Sequence, residues 1–173
     1  NEADVVIAHN LDKFDERVAN TAFFRHDLKL PSSYTKVDTL KEARGRFRLE
    51  SNRLDYIATR VLGIEGKKQT ERGLWIRCME GEYSALEYMD EYCQQDVRVL
   101  EDVYLALRPY MKRHPNLGLF INETNETCHK CGSSDLKKVG VRRTMLNEYD
   151  ELRWEHCGSR KRRRSANTSI KGN

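Results

Sequence analysis

The sequence predicts an α/β body followed by a small cysteine-bearing β module, and three observations carry that reading. Two short β-branched apolar runs, at residues 4–8 and 35–40, have the composition of buried strands. From Ser84 to Leu107 the residues Leu86, Met89, Cys93, Val97, Leu100, Val103, Tyr104 and Leu107 make an apolar helical face, and long helices after short strands are the pattern of α/β proteins. Cys128, Cys131 and Cys157 gather beyond a break at Pro109 and Pro115.

In chain order, Asp4-Val5-Val6-Ile7-Ala8 is the first strand. His9-Asn10-Leu11-Asp12-Lys13 is a polar junction, and Phe14 to Arg25 follows as a helix with Phe14, Val18, Ala22 and Arg25 at helical spacing. Pro31-Ser32-Ser33 is a loop, Thr35 to Leu40 the second strand, and Lys41 to Arg46 a helical turn. Ser51 to Leu62 is amphipathic, with Leu54, Ile57, Ala58, Val61 and Leu62 apolar. Gly63 suits its end, because glycine enters the left-handed region without a Cβ penalty. Residues 64–73 form a polar loop rich in Lys, Glu and Gly, and Leu74 to Met79 fits a strand or a helix equally.

Hydrophobic residues make up 38% of the 173, enough for a modest core, and charged residues 34%; the mean hydropathy is −0.80. No apolar run approaches the roughly 20 residues of a membrane-spanning helix, and no secretory signal is visible. The net charge of +4 is unevenly placed. Residues 1–120 carry 19 Lys and Arg against 20 Asp and Glu, whereas residues 121–173 carry 12 against 7, with a run at Arg160-Lys161-Arg162-Arg163-Arg164. Such a tail suits a polyanion partner; a solvated, disordered tail fits equally. Cys78 and Cys93 stand alone in helical contexts, as buried thiols would. The other three, with one Cys-x2-Cys pair, favour metal chemistry in a reducing compartment over a disulfide framework.

Two segments suggest chemistry. Asn10-Leu11-Asp12-Lys13-Phe14-Asp15 follows the first strand directly, and Tyr92-Cys93-Gln94-Gln95-Asp96 lies within the long helix. Tyr92 and Asp96 are four residues apart and share a helix face. A carboxylate and a phenol on one face, with a carboxylate at a strand-to-helix junction, are parts for a two-metal phosphodiesterase. Hard cations take carboxylate oxygens, and a metal pair about 4 Å apart stabilises both attacking and leaving oxygens. Taken singly, Tyr-x3-Asp is also an ordinary surface pair and Asn-x3-Phe-Asp an ordinary helix start.

In order and separation, Asn-x3-Phe-Asp followed by Tyr-x3-Asp resembles the second and third motifs of DEDDy-type 3′–5′ exonucleases. Val37-Asp38-Thr39-Leu40, Ala43-Arg44, Phe47, Leu49, Ser51 and Arg53-Leu54 resemble the middle of DnaQ-like domains. The whole arrangement, over roughly residues 3–160, is similar to phage and bacterial RNase H-like exonucleases that end in a zinc ribbon. The resemblance implies a partial RNase H-like fold, a mixed sheet flanked by helices, over residues 1–120. It implies Asp15, Tyr92 and Asp96 as catalytic residues, Asp15 and Asp96 as ligands of Mg2+ or Mn2+, and Asn10 and Phe14 as the pocket of the 3′-terminal nucleotide. The implied partners are single-stranded DNA 3′ ends and replication or repair proteins, in a bacterial or phage-infected cytoplasm, with no membrane. Asp38 reads better as a cap at a strand end, and His9 as a strand-end hydrogen bonder, since Glu91 stands where a His-dependent variant needs its histidine. The family's first motif, Asp-x-Glu, belongs on a strand upstream of Asn1, and Glu2 and Asp4 do not replace it. Residues 1–173 alone are therefore expected to have little or no nuclease activity.

The cysteines read as a zinc-ribbon-like module over residues 121–159, followed by a basic disordered tail at 160–173. Cys128-His129-Lys130-Cys131-Gly132 has the form of one zinc knuckle. Where the second is expected stands Trp154-Glu155-His156-Cys157-Gly158, with Trp154 at the place of the first cysteine. Zn2+ held by Cys128, Cys131, Cys157 and His156 is one reading, and a metal-free hairpin the other. Arg142, Arg143, Tyr149, Arg153 and Trp154 interleave basic and aromatic groups, as a single-stranded nucleic-acid surface does.

Overall fold

The computed structural model describes residues 3–68, 70–116, 126–128 and 130–165. The chain divides into two compact units, Asn1–Met111 and Lys112–Asn173, a boundary earlier than the expected residue 120.

In the first unit, β1 (Val5–Ala8) and β2 (Thr35–Asp38) pair in parallel, from Val5 opposite Thr35 to Ala8 opposite Asp38. A parallel pair needs a crossover, and α1 (Asp15–Arg25) lies within it. β2 ends two residues earlier than expected because the Asp38 side chain accepts from the Leu40 and Lys41 N–H groups. It thereby caps α2 (Thr39–Arg46), whose first turn has free donors there. α3 (Leu54–Tyr56) widens into a π-helical segment (Ile57–Leu62), which Gly63 ends at φ 67°. The ambiguous stretch is helical: α4 spans Leu74–Met79. α5 spans Tyr83–Leu107, and Pro109 then sits in a short 3-10 turn, Arg108–Tyr110.

The core gathers Val37, Ala43, Leu54, Ile57, Ala58, Val99, Val103, Tyr104, Leu107 and Met111. Each large aliphatic among them contributes about 1.5–3 kcal/mol on burial. Only part of the expected face of α5 takes part. Its buried residues are Ala85, Val99, Val103, Tyr104 and Leu107, while Val97 is 64% exposed and Leu86 45%. Cys93 is exposed and Cys78 half-buried, so neither is the buried thiol expected. The Cys78 thiol instead donates to the Ala85 carbonyl at 3.3 Å. α1 buries no residue, with Phe14, Val18 and Phe24 all exposed.

The second unit is an antiparallel sheet in the order β3-β4-β5: Leu136–Arg143, Glu148–Trp154 and Arg160–Arg164. A bulge between Lys138 and Gly140 shifts the β3–β4 register. Leu152, Trp154 and Cys128 are buried. The basic run, expected as disordered tail, is a strand through Arg164; residues 166–173 lie outside the described residues. The cause is the partner strand, since Arg163 lies opposite Asp150 and Arg162 opposite Glu151. Opposite charges facing across a pair stabilise it. Glu126 adds pairs to Lys161 and to Arg163. Among the described residues no helix is long and apolar enough to cross a membrane.

Candidate metal centre and carboxylate crevice

The second unit builds a centre from two turns of the same design. In the first, the Cys128 N–H donates to the Ser133 carbonyl at 2.8 Å and the Gly132 N–H to the Cys128 carbonyl at 2.8 Å. In the second, the Trp154 N–H donates to the Ser159 carbonyl at 2.9 Å and the Gly158 N–H to the Trp154 carbonyl at 2.9 Å. Gly132 at φ 74° and Gly158 at φ 70° take the left-handed conformation that closes each turn. The turns thus match residue for residue: Cys128 with Trp154, Cys131 with Cys157, Ser133 with Ser159. Trp154 has the backbone of a ligand position without a ligand atom, and it is 2% exposed.

The sulfur atoms of Cys128, Cys131 and Cys157 lie within 4.8 Å of one another, and Cys128 and Cys157 approach to 3.6 Å. Burial pushes the Cys131 thiol up to about 11, despite a hydrogen bond from the Ser133 backbone. Burial also opposes ionisation of Cys157, but hydrogen bonds from the Ser159 side chain and backbone, and from Cys131 and Cys128, outweigh it and bring that thiol down to about 7. Three converging thiols can hold a soft metal ion such as zinc. His156 is exposed and does not join the group, so it is not a ligand in this arrangement.

The first unit builds a crevice at the carboxyl ends of β1 and β2, where open α/β sheets hold ligands. His9 fastens it: Nδ1 meets the Thr39 hydroxyl at 2.9 Å and Nε2 the Asn52 carbonyl at 2.9 Å. A carbonyl only accepts, so Nε2 carries a proton. Burial lowers the His9 pKa below its ordinary 6.5, against the raising effect of the Asn52 backbone and Asp38. Asp38 ties the two strand ends, its Oδ1 accepting from the Asn10 N–H at 3.0 Å and its Oδ2 from the Asp12 N–H at 3.4 Å. His9 and Asp38 therefore hold the structural positions read from the sequence. An open cleft of about 670 Å³ begins here, bordered by His9, Asn10, Arg44, Arg53, Asp55 and Lys67.

Lys67 links that cleft to α5, its ammonium lying 2.5 Å from Asp96 Oδ2. The other carboxylate oxygen of Asp96 is buried without a hydrogen-bond partner. Burial raises the pKa of Tyr92, one turn earlier; Lys67 lowers it and Asp96 raises it. Lys67 is positioned by its own N–H on Asp55 Oδ1 at 3.0 Å. Gly66 lies so close to α3 that an added Cβ would come within 2.5 Å of that same oxygen. No local pattern marks Lys67, one of several charged residues in a polar loop.

No family model matches this chain, and neither a curated protein nor a solved structure matches it.

The remaining expected residues are dispersed. Asp15 is exposed in the first turn of α1, and Phe14 is 62% exposed at its start. Asn10 exits β1 at φ 78°, where its carbonyl accepts from Lys13 and Phe14. Among the described residues, the three cysteines are the only group of three or more His, Cys, Asp or Glu donors placed to hold a metal. Among the described residues no group of carboxylates converges at Asp96, which has one oxygen without a hydrogen-bond partner and the other facing Lys67.

Proposed function

We propose that the first unit handles the 3′ end of a nucleic-acid strand as part of a DEDDy-type 3′–5′ exonuclease, and that residues 1–173 alone do not cut. The half-satisfied Asp96 carboxylate carries this reading. An orphaned buried oxygen costs about 1–3 kcal/mol or more, and a divalent cation would satisfy it once further carboxylates are supplied. Tyr92 beside Asp96, and the cleft at the strand ends, support the same reading. The test is an assay on 3′-labelled single-stranded DNA with Mg2+ or Mn2+. Residues 1–173 should release nothing, and a chain extended by a strand bearing Asp-x-Glu should digest the label. Asp96→Asn in that longer chain should reduce the rate by several orders of magnitude. Digestion that survives Asp96→Asn removes the reading.

The Lys67–Asp96 pair favours a second reading, a catalytically degenerate nucleic-acid-binding module in which the ammonium has taken the place of the metal. It expects the longer chain to stay inactive and Mg2+ to leave its melting temperature unchanged.

In the second unit we propose Zn2+ as the ion of the three thiols, acting as a structural staple that joins the two turns. The matched turns and the converging sulfurs support this. The metal content of the purified chain tests it.

A further inference from the structure

The register of the three-stranded sheet sorts its charges onto two faces. Residues directly opposite in an antiparallel pair share a face, and neighbours along a strand alternate. Leu152 and Trp154 mark the buried side. Asp150 and Glu148 lie on that side with them, as do Lys161 and Arg163 of β5. The opposite side collects Tyr149, Glu151 and Arg153 of β4, Arg142 of β3, and Arg160, Arg162 and Arg164 of β5. All five arginines are exposed. Tyr149, half-buried, has Arg142 across from it on one strand and Arg164 on the other. Among the described residues, only Arg162 of these five pairs with a carboxylate, Glu151 at 3.7 Å. Gly140 faces Glu151 across the strands, and the Glu151 carboxylate lies over the glycine at the middle of this side, where Arg162 offsets it.

We propose that this arginine face, with Tyr149 at one end of β4 between Arg142 and Arg164, is a binding surface for single-stranded nucleic acid. Arg160, Arg162 and Arg164 repeat about every 7 Å along an extended strand. That step is close to the one between phosphates of an extended single strand, so successive arginines meet successive phosphates. Guanidinium groups suit phosphate because their forked donors match its oxygens. A phenol ring among them offers a base a stacking surface, which duplex bases, already stacked, do not need. Lys161 and Arg163 take no part, since they point to the other side and pair with Glu126. All these residues belong to the second unit, so the surface stands whether or not the first unit handles strand ends.

The experiment is fluorescence anisotropy of the full chain with fluorescein-labelled oligodeoxythymidylate, compared with a duplex of equal length. Tyr149→Ala should weaken binding about tenfold, and Tyr149→Phe should preserve it, because stacking needs the ring alone. Replacing Arg160, Arg162 and Arg164 together by Ala should lower the dependence of log affinity on log salt by about two. The pair R160A/R162A should cost far more than K161A/R163A, although both remove two charges from one strand. The buried Trp154 fluorescence reports whether each variant keeps its sheet. Equal losses from the two pairs, no loss from Tyr149→Ala in a folded variant, or tighter binding of the duplex would each overturn the proposal.

Discussion

His9 shows what one side chain does at the crevice. Its two ring nitrogens join the end of β1 to Thr39 at the start of α2 and to Asn52, bonds that span 30 and 43 residues of chain. Burial holds its pKa below 6.5. Between that lowered value and 6.5 the unfolded chain binds a proton that the folded chain refuses. The contribution of His9 to stability is thus whole above 6.5 and is lost as the pH falls through that window. Chemical denaturation at a series of pH values should show the first unit weakening on acidification, and His9→Gln should flatten that dependence. Asn10 is a residue whose role changes with the view. As a sequence motif it points to a nucleotide pocket. In the fold it adopts φ 78°, a conformation Asn tolerates better than most residues and which costs about 1–2 kcal/mol per ordinary residue. Loss of activity in an Asn10 variant would therefore need a matching measurement of stability before it spoke about substrate.

At the scale of elements, the paired turns make a distinct prediction. The protein has two tryptophans. Trp75 is 60% exposed and Trp154 2%. If a metal staples the turns, a strong chelator should release Trp154 to solvent and shift its emission to the red. In a Trp75→Phe background that shift is the whole signal. Cys131→Ser should give the shifted spectrum without chelator, and an unmoved spectrum in both experiments would mean that the thiols are closed by packing alone.

For the molecule as a whole, the parts legible in the sequence were those with strong local signals. Both strands of the first unit, α1, α5 and the glycine end at Gly63 follow from apolar spacing and backbone freedom. Leu74–Met79 was ambiguous because six residues with Trp75, Ile76 and Met79 exposed have no clear apolar face. The stripe on α5 misled at Cys93 and Val97 because spacing reveals a face but not how much of it a neighbour covers. Three of the four zinc ligands read from the sequence converge, and His156 does not, since the residue beside Cys157 projects elsewhere. Lys67 was invisible because its partner is Asp96, brought near only by the fold. Composition also described the basic run as tail, and missed the strand, because the acids that hold it lie in β4 and at Glu126.

That strand has a practical consequence. Arg160–Arg164 is an unbroken series of trypsin sites, and in an unstructured tail it would be cut within moments of mixing. A protease needs its substrate peeled free of its neighbours, and here the series is hydrogen-bonded along β4 from Arg153 to Tyr149. Cleavage within it therefore times the opening of the sheet. Brief digestion followed by mass measurement should leave these bonds intact while the thiol-bearing turns are closed, and sever them first once the turns are released.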